Sequence, residues 1–389
     1  MCNSILKSVI IATCSILCYC EKKQDTPEVA SPNPPTQSQP FPTSQEKHSP
    51  QAPTPPPPPK PVPLVIAPSA ELQREFVAFV NAWNGMPSQF SGKELVAKQR
   101  DLAYETIGKL AGGAELTQFL QFLKNKGAVD LHNEIVERGM EPFFRGEKAT
   151  AMRDWVLSVY DFKMKEQLML QLGMAFDGPD LKEYFERVGN SPNGHNCQCR
   201  LMTGYCSTIA KTDPMKALRV YKEYTYPKRI TNAGLAKVME HVPPTADFVE
   251  IAAATAPDSA GLSKNTRRSL LNNWSQHRPS EAAQYVMTNT SVVHADQMAV
   301  VMSQWAQKAP AEAETWLAQW DPSPHRDQGS LVLSQHWLQQ HNPARAFQSA
   351  TQIGNFDLRV KTATAVFQEW ERVDRSSAEA AWLRAFPQK

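Results

Sequence analysis

Four tryptophans in the last third of the chain, Trp274, Trp305, Trp337 and Trp370, follow one another at intervals of 31, 32 and 33 residues. A constant period of roughly 20–50 residues is typical of proteins that stack many copies of one supersecondary unit. Each interval holds two short apolar stripes at helical spacing, which predicts a pair of α-helices joined by a turn. This period constrains the fold more tightly than any other feature of the chain.

The unit around Trp305 shows both stripes, each with its apolar residues at i, i+3, i+4 and i+7. The first stripe consists of Met298, Val301, Met302 and Trp305. The second consists of Ala313, Trp316, Leu317 and Trp320. Residues at this spacing share one face of a helix. Pro310 lies between the stripes and suits the first turn of the second helix, where its missing N–H costs nothing.

The other units repeat this pattern of two apolar stripes with small variations. Pro279 and the pair Asn342–Pro343 precede second helices, and Ser377 is predicted to cap the last one. Alanine in the second helix permits close approach to a neighbouring helix, while Trp or Tyr fills the groove one turn later. Less regular copies of the unit follow Pro179 and Pro214. We therefore expect about six helical hairpins between residues 150 and 389. The tryptophans are predicted to be core residues. The alternative is that some of them line a ligand-binding groove.

This pattern resembles the tetratricopeptide-like family of α-solenoids and, more narrowly, exported bacterial proteins with a repeat of Trp, Pro, Ala and Trp. The resemblance covers residues 150–389. It departs from the tetratricopeptide consensus because Trp305 is followed by Ala306, Gln307 and Lys308 instead of Leu-Gly. What the resemblance implies is an all-α, right-handed α-solenoid that binds a protein partner on a concave surface.

The N-terminus is similar to an export signal. Lys7 precedes an uncharged run, Ser8–Tyr19, which is too short to span a bilayer as a helix and ends at Cys20. The arrangement resembles the bacterial lipoprotein signal, which implies a signal over residues 1–20 and lipidation of Cys20. Cys14 is the alternative lipidation site, and an uncleaved or differently cleaved signal is a third. All three place the body of the chain outside the cytoplasm. The lipoprotein resemblance implies the bacterial cell envelope, facing the periplasm or the exterior, with a lipid anchor as the membrane contact.

Residues 21–68 are predicted to be a disordered linker. Between Asp25 and Pro68 the chain carries 16 of its 31 prolines, including the run Pro55–Pro59. This composition buries too little apolar surface to offset ordering entropy and favours extended polyproline II. We expect a spacer between anchor and folded body, with a proline-rich docking motif as the alternative.

Residues 69–149 are predicted to be helical but lack the repeated tryptophan motif. Ser69 suits the N-cap of a first helix that ends at Gly85 and Pro87, and further helices are expected at about 93–111, 115–126 and 129–139. A repeat array needs an end that covers its stacking face, so this region is predicted to cap the array. A separate interaction module is the alternative.

One cluster of soft ligand types lies between residues 195 and 206, namely His195, Cys197, Cys199 and Cys206. Zinc or copper binding is one interpretation, although only one residue separates Cys197 from Cys199 where zinc sites have two to four. In an oxidising compartment, a disulfide from Cys206 to Cys197 or Cys199 is another. Structural or bridged cysteines are the preferred interpretation, and no metal or cofactor is predicted.

A basic and aromatic cluster is the other candidate site, with Tyr221, Tyr224 and Tyr226 interleaved among its basic residues. Its basic members are Lys216, Arg219, Lys222, Lys228 and Arg229. The cluster is either a patch for an anionic ligand or a solvated helix face with snorkelling side chains. The net charge of the chain is only +2, so no nucleic-acid partner is expected.

The common catalytic signatures are absent from the sequence, including His-Glu-x-x-His, Gly-x-Ser-x-Gly and the phosphate-binding glycine loop. The sequence therefore favours a scaffold or adaptor that binds another protein. An exported helical enzyme acting on a polysaccharide and a metal-binding envelope protein are the alternatives.

Overall fold

The computed structural model describes residues 65–225, 233–255 and 264–387, and all regular secondary structure in these ranges is helical. The N-terminal part contains α1 (Ala70–Gly85), α2 (Gly92–Leu110), α3 (Glu115–Asn125) and α4 (Val129–Glu134). A π-helical turn, Ile135–Gly139, continues α4, and a 3-10 turn, Glu141–Phe144, follows it. The predicted helices of this region are thus present, each within a few residues of its expected bounds.

A series of helices extends from there to the C-terminus. They are α5 (Ala149–Ser158), α6 (Phe162–Ala175), α7 (Leu181–Gly189), α8 (Gly194–Ala210), α9 (Pro214–Thr225), α10 (Ala233–Met239), α11 (Phe248–Ala254), α12 (Lys264–His277), α13 (Pro279–Thr288), α14 (Asp296–Lys308), α15 (Pro310–Leu317), α16 (Pro324–Gln339), α17 (Pro343–Thr351), α18 (Phe356–Glu371) and α19 (Arg375–Ala385). None of the described helices is both long and apolar enough to cross a bilayer.

Helix starts follow the local sequence signals closely. Pro279, Pro310 and Pro343 each occupy the first turn of a second helix, as predicted. The Asn342 side chain accepts a hydrogen bond from the Arg345 N–H and is the cap of α17.

The prediction for the last helix was wrong by one turn. Asp374, and not Ser377, is the N-cap of α19, and its carboxylate accepts from the Ser377 N–H at 3.1 Å. Both residue types suit a cap, but the chain turns into helix three residues earlier and leaves Ser377 inside the first turn. At the other end of the described chain, Ser69 caps α1 as predicted, accepting from the Leu72 N–H.

The helices from α6 onwards pack in a regular order. Within the described residues, α6 contacts α8, α8 contacts α10, and the same step continues through α12, α14, α16 and α18. The intervening helices, from α7 to α17, each pack against the even-numbered helix that follows them. Each pair of helices, an even-numbered helix and the odd-numbered one after it, therefore lies against the next pair.

Buried alanine and tryptophan recur at fixed positions in these pairs. Ala282, Ala313, Ala346 and Ala378 occupy equivalent positions in the second helices, and all four are fully buried. Trp274, Trp305 and Trp337 are buried near the ends of α12, α14 and α16. A side chain with a single carbon allows two helices to approach, and an indole fills the adjoining space.

Polar contacts between pairs recur at the period of the repeat. The Tyr184 hydroxyl donates to the Arg153 carbonyl, 31 residues earlier, at 2.9 Å. Asn273 donates to the carbonyls of Met239 and Val242 at 3.0 and 2.8 Å, and His325 donates to the Val293 carbonyl at 2.8 Å. The bonds from Asn273 and His325 satisfy carbonyls at the end of α10 and in turns, and all of these bonds link helices about one repeat apart.

A close helix crossing joins α6 to α8 through two glycines. A Cβ at Gly173 would overlap the carbonyl oxygen of Leu201 and lie 2.9 Å from the Tyr205 amide nitrogen. A Cβ at Gly204 would overlap the Leu170 carbonyl oxygen in the same way. The obstructing atoms belong to backbone, so a side chain cannot be accommodated by a change of rotamer.

Substitution of either crossing glycine is expected to destabilise the protein. Gly173→Ala and Gly204→Ala should each lower the free energy of unfolding by about 1–3 kcal/mol, measured by chemical denaturation followed by far-UV circular dichroism. Gly85→Ala is the matched control, since a Cβ at Gly85 meets nothing within 4 Å. Equal denaturation midpoints for Gly173→Ala and Gly85→Ala would contradict the close crossing.

Asp327 should be a second stabilising position. Its buried carboxylate accepts from the backbone N–H groups of Gly354 and Asn355, at 2.6 and 2.9 Å, and so ties α16 to the start of α18. Asp327→Ala leaves both donors without this acceptor, and we expect a loss of about 1–3 kcal/mol. Asp296→Ala serves as the control, because its exposed ion pair with Lys264 contributes at most about 1 kcal/mol. Similar losses in the two variants would show that Asp327 is not a structural link.

Candidate partner-binding face at the C-terminal helix pair

The predicted ligand cluster lies along α8 but does not converge. His195 is exposed, Cys199 is half-buried, and Cys197 and Cys206 are buried in the core. No disulfide joins these three cysteines, and no group of three His, Cys, Asp or Glu side chains able to hold a metal occurs among the described residues. The helix turns Cys206 into the core and leaves His195 in solvent, so the four side chains do not share one surface.

Burial sets the chemistry of the cysteines. Desolvation raises the pKa of Cys197 to about 11, and it also raises the pKa of Cys206. The neighbouring Lys165 is buried as well, with its ammonium donating to the Leu157 carbonyl at 2.8 Å, and desolvation lowers its pKa. Thiols held in the neutral form are poor nucleophiles and poor metal ligands at neutral pH.

The predicted basic and aromatic patch is divided in the same way. Lys216 and Arg219 are exposed on α9, whereas the Lys222 ammonium donates to the Ala254 carbonyl at 3.1 Å. Tyr221 is buried, and Tyr224 packs edge-on against Phe185 with ring centroids 5.1 Å apart. The two tyrosines thus serve the core and not a ligand surface. Lys228 and Arg229 lie outside the described residues, as do Cys20 and Cys14.

Two open surface cavities in the described part of the chain can be compared with an enzyme site. One, of about 440 Å³, has Asp327 as its carboxylate, and both oxygens of that carboxylate are already bonded to backbone N–H groups. The other, of about 500 Å³, lies beside Trp305 and Trp316 and has the exposed Glu312 as its carboxylate. Hydrolysis of a glycosidic bond ordinarily needs two carboxyl groups in one cleft. Neither cavity provides them.

The final helix pair differs from its predecessors in what covers it. Three residues before the repeated tryptophan, the chain has Leu271, Met302 and Ser334 in α12, α14 and α16, and all three are fully buried. The equivalent residue of α18 is Phe367, which is only half-buried. Phe367 is therefore larger than the equivalent side chains of the earlier pairs and is less buried than they are.

The second helices show the same contrast. Four residues after the repeated alanine, Val286, Leu317 and Ala350 are buried. The equivalent residue of α19 is Trp382, again half-buried. In the earlier pair, Met302 and Leu317 lie directly under Gly329 of α16, whose missing Cβ would be 3.4 Å from Met302 Cγ and 2.8 Å from a Leu317 methyl carbon. Within the described residues, no later helix covers Phe367 and Trp382.

Phe367, Trp382 and Phe386 form one aromatic surface, which we call the end face. The ring centroids of Phe367 and Trp382 are 5.3 Å apart, and those of Trp382 and Phe386 are 4.6 Å apart. Phe347 lies beneath them, 6.1 Å from Trp382. These distances are those of packed aromatic pairs, so the end face is held in place by its own core. That core is a separate apolar cluster centred on Trp337, Phe347 and Val366.

Charged side chains of both signs lie near the end face in the sequence. Arg375 bonds to Glu379 at 2.7 Å and lies 3.5 Å from Glu371, and Arg372 pairs with Glu369 at 2.7 Å. Residues 356–387 contain five acidic and five basic side chains. An apolar centre with a neutral polar rim is the usual composition of a protein interface.

The sequence distinguishes this site by the size of two side chains, although the repeat pattern places both of them on apolar helix faces. Phe367 and Trp382 are the largest side chains at their respective repeat positions, where the earlier pairs have Leu, Met, Ser, Val or Ala. The stripe pattern assigned both residues to the core. Their lower burial became visible only in the tertiary structure.

No protein-family model matches the chain, and comparison with curated proteins and with solved structures gives no match either. The described helices are compatible with a helical-repeat protein, which is as far as the fold alone assigns this chain.

The buried thiols yield a prediction. In the folded chain at neutral pH, we expect iodoacetamide to modify Cys197 roughly a hundredfold more slowly than it does after unfolding, because both access and the thiolate fraction are reduced. Cys206 should be protected at least as strongly. Mass spectrometry of peptides after timed labelling measures both rates, and denatured protein is the control. Rapid labelling in the folded state, or recovery of a disulfide-linked peptide pair, would contradict the buried free thiols.

Proposed function

We propose that this chain is an envelope-tethered α-solenoid that acts as a scaffold or adaptor by binding another protein at its end face. The solenoid is taken to be right-handed and to consist of about six hairpins, with residues 69–149 as its N-terminal cap. The successive contacts from α6 to α18 support this arrangement, since each pair meets mainly its neighbours.

The observation that carries the function is the incomplete burial of Phe367 and Trp382. All equivalent residues of the three preceding pairs are buried, and Met302 and Leu317 lie against Gly329 of the following pair. Contiguous aromatic surface that is incompletely buried costs free energy in water and is typical of protein interaction sites. What covers each earlier equivalent is a helix, so a helical surface of a protein is the occupant that this face fits.

The cellular location of the protein is part of the proposal. The N-terminal run ending at Cys20, or at Cys14, is proposed to supply a lipid anchor, and residues 21–68 a spacer. The body of the chain is then presented at the bacterial envelope, within reach of other envelope proteins. The described cavities and cysteines provide no observation that favours the enzymatic or the metal-binding alternative.

Site-specific photo-crosslinking in cells tests the proposal. Ala385 is exposed and lies one helical turn after Trp382, so a p-benzoylphenylalanine at this position lies beside the end face. We expect irradiation of the full-length chain to give a covalent protein adduct. The same amino acid at Ala318, an exposed alanine just after α15, is the matched control.

The adduct formed from position 385 should exceed that from position 318 about tenfold, since a docked partner remains within reach for longer than a passing one. Mass spectrometry of the adduct identifies the crosslinked protein. Equal, low yields at the two positions would refute binding at the end face.

A further inference from the structure

We infer that α17, α18 and α19 open and close as one cooperative unit while the helices before them stay folded. The boundary of this unit is a polar seam on α16, formed by Ser330, Ser334 and the indole N–H of Trp337. Folded proteins open locally in contiguous units that share few buried apolar contacts with the rest of the structure. The inference concerns the stability of these helices and does not require that a partner binds them.

The apolar core of the described residues is divided at the polar seam. One cluster of buried side chains runs from Phe79 in α1 to Leu333 in α16. A second cluster begins at Trp337 and includes Phe347 of α17 and Val366 of α18. Leu333 and Trp337 are about one helical turn apart, so the division falls within α16. Because burial of apolar surface is what couples helices to one another, two clusters permit two separate openings.

The side chains between the two clusters explain the division. In α14, the residues seven and three positions before Trp305 are methionines, and both are buried. The equivalent residues of α16 are Ser330 and Ser334, which are buried as well. Neither hydroxyl has a hydrogen-bond partner in the structure, and the buried indole N–H of Trp337 has none either. Polar groups buried in this way disfavour the closed packing, because opening returns them to water.

Helix packing changes at the same place. From α6 to α16, each even-numbered helix lies directly against the next one. Helix α16 meets α18 much less closely than it meets α14, and α18 packs mainly on α17. Two polar links span this region, from the Asp327 carboxylate to the backbone just before α18 and from the Ser349 hydroxyl to Glu314 of α15 at 3.1 Å. Opening exchanges such links for hydrogen bonds to water, so their net contribution is modest.

The opening also bears on the end face. Phe367 lies in α18 and Trp382 in α19, so the end face exists only while the unit is closed. A protein that binds the closed form stabilises it by mass action. The cooperative unit therefore gives the end face a conformational equilibrium that binding shifts towards the closed form.

Hydrogen exchange of the full-length chain in mild detergent, followed by mass spectrometry of its peptides, tests the inference. Relative to their intrinsic rates, the protected backbone amides of α17, α18 and α19 should share one exchange rate, about tenfold or more faster than that of α12 and α14. Protection that rises gradually from α19 to α14 would indicate fraying of single helices and would overturn the inference. Equal protection in α17 and α14 would also overturn it.

Serine substitutions test the boundary. Ser330→Ala and Ser334→Ala each remove a buried hydroxyl without a partner, and each should slow exchange in α17, α18 and α19 about tenfold. Ser275→Ala is the matched control, since Ser275 is equally buried but its hydroxyl donates to the Leu271 carbonyl at 2.6 Å. This control should leave exchange in the three helices unchanged. If neither α16 variant slows exchange, the polar seam is not the boundary.

A substitution far from the unit tests whether it opens alone. Gly173→Ala disturbs the crossing of α6 and α8, which stays intact in both forms of the unit. We therefore expect this variant to speed exchange in α6 and α8 and to leave the rate in α17, α18 and α19 unchanged. Equal acceleration in all of these helices would show that they unfold only together, which would overturn the inference.

Discussion

Burial of each helix pair against the next is the interaction on which the rest of the structure depends. A single pair has apolar stripes on both helices and cannot cover them by itself. The ordered contacts from α6 to α18 remove these stripes from water one pair at a time, with fully buried alanines such as Ala313 at the close approaches and tryptophans such as Trp305 beside them. Hydrogen bonds from side chains such as Asn273 to carbonyls of the preceding pair link helices about one repeat apart.

The same interaction explains why the C-terminal pair is the candidate functional site. Stacking supplies a cover for every pair that has a successor. At α18 and α19 the apolar residues remain, and they are larger, but among the described residues no successor lies on them. The sequence pattern of this surface is that of a helical core, but the surface is only partly buried. Such a surface is well suited to recognising a protein, because its aromatic rings are held in place by their own packing.

Packing also decides what the reactive side chains can do. The close crossing of α6 and α8 at Gly173 and Gly204 places the thiols of Cys197 and Cys206 in an apolar interior, where the neutral form is favoured. Lys222 and Asp327 are similarly committed to backbone partners. Residue types that suggest ligand chemistry in the sequence therefore have structural roles in the fold.

The sequence by itself determined the helical class, the period of the pairs and many of their starts. These properties depend on local chemistry: proline at Pro279, Pro310 and Pro343 fits only the first turn, and apolar spacing defines one face of a helix. The tertiary structure decided which faces are covered, and so separated Phe367 and Trp382 from their buried equivalents, exposed His195, and buried Cys206. It also placed the cap of α19 at Asp374, where two suitable capping residues lie within one turn. A stripe shows which side of a helix avoids water, but whether a neighbour covers that side depends on residues about 30 positions away.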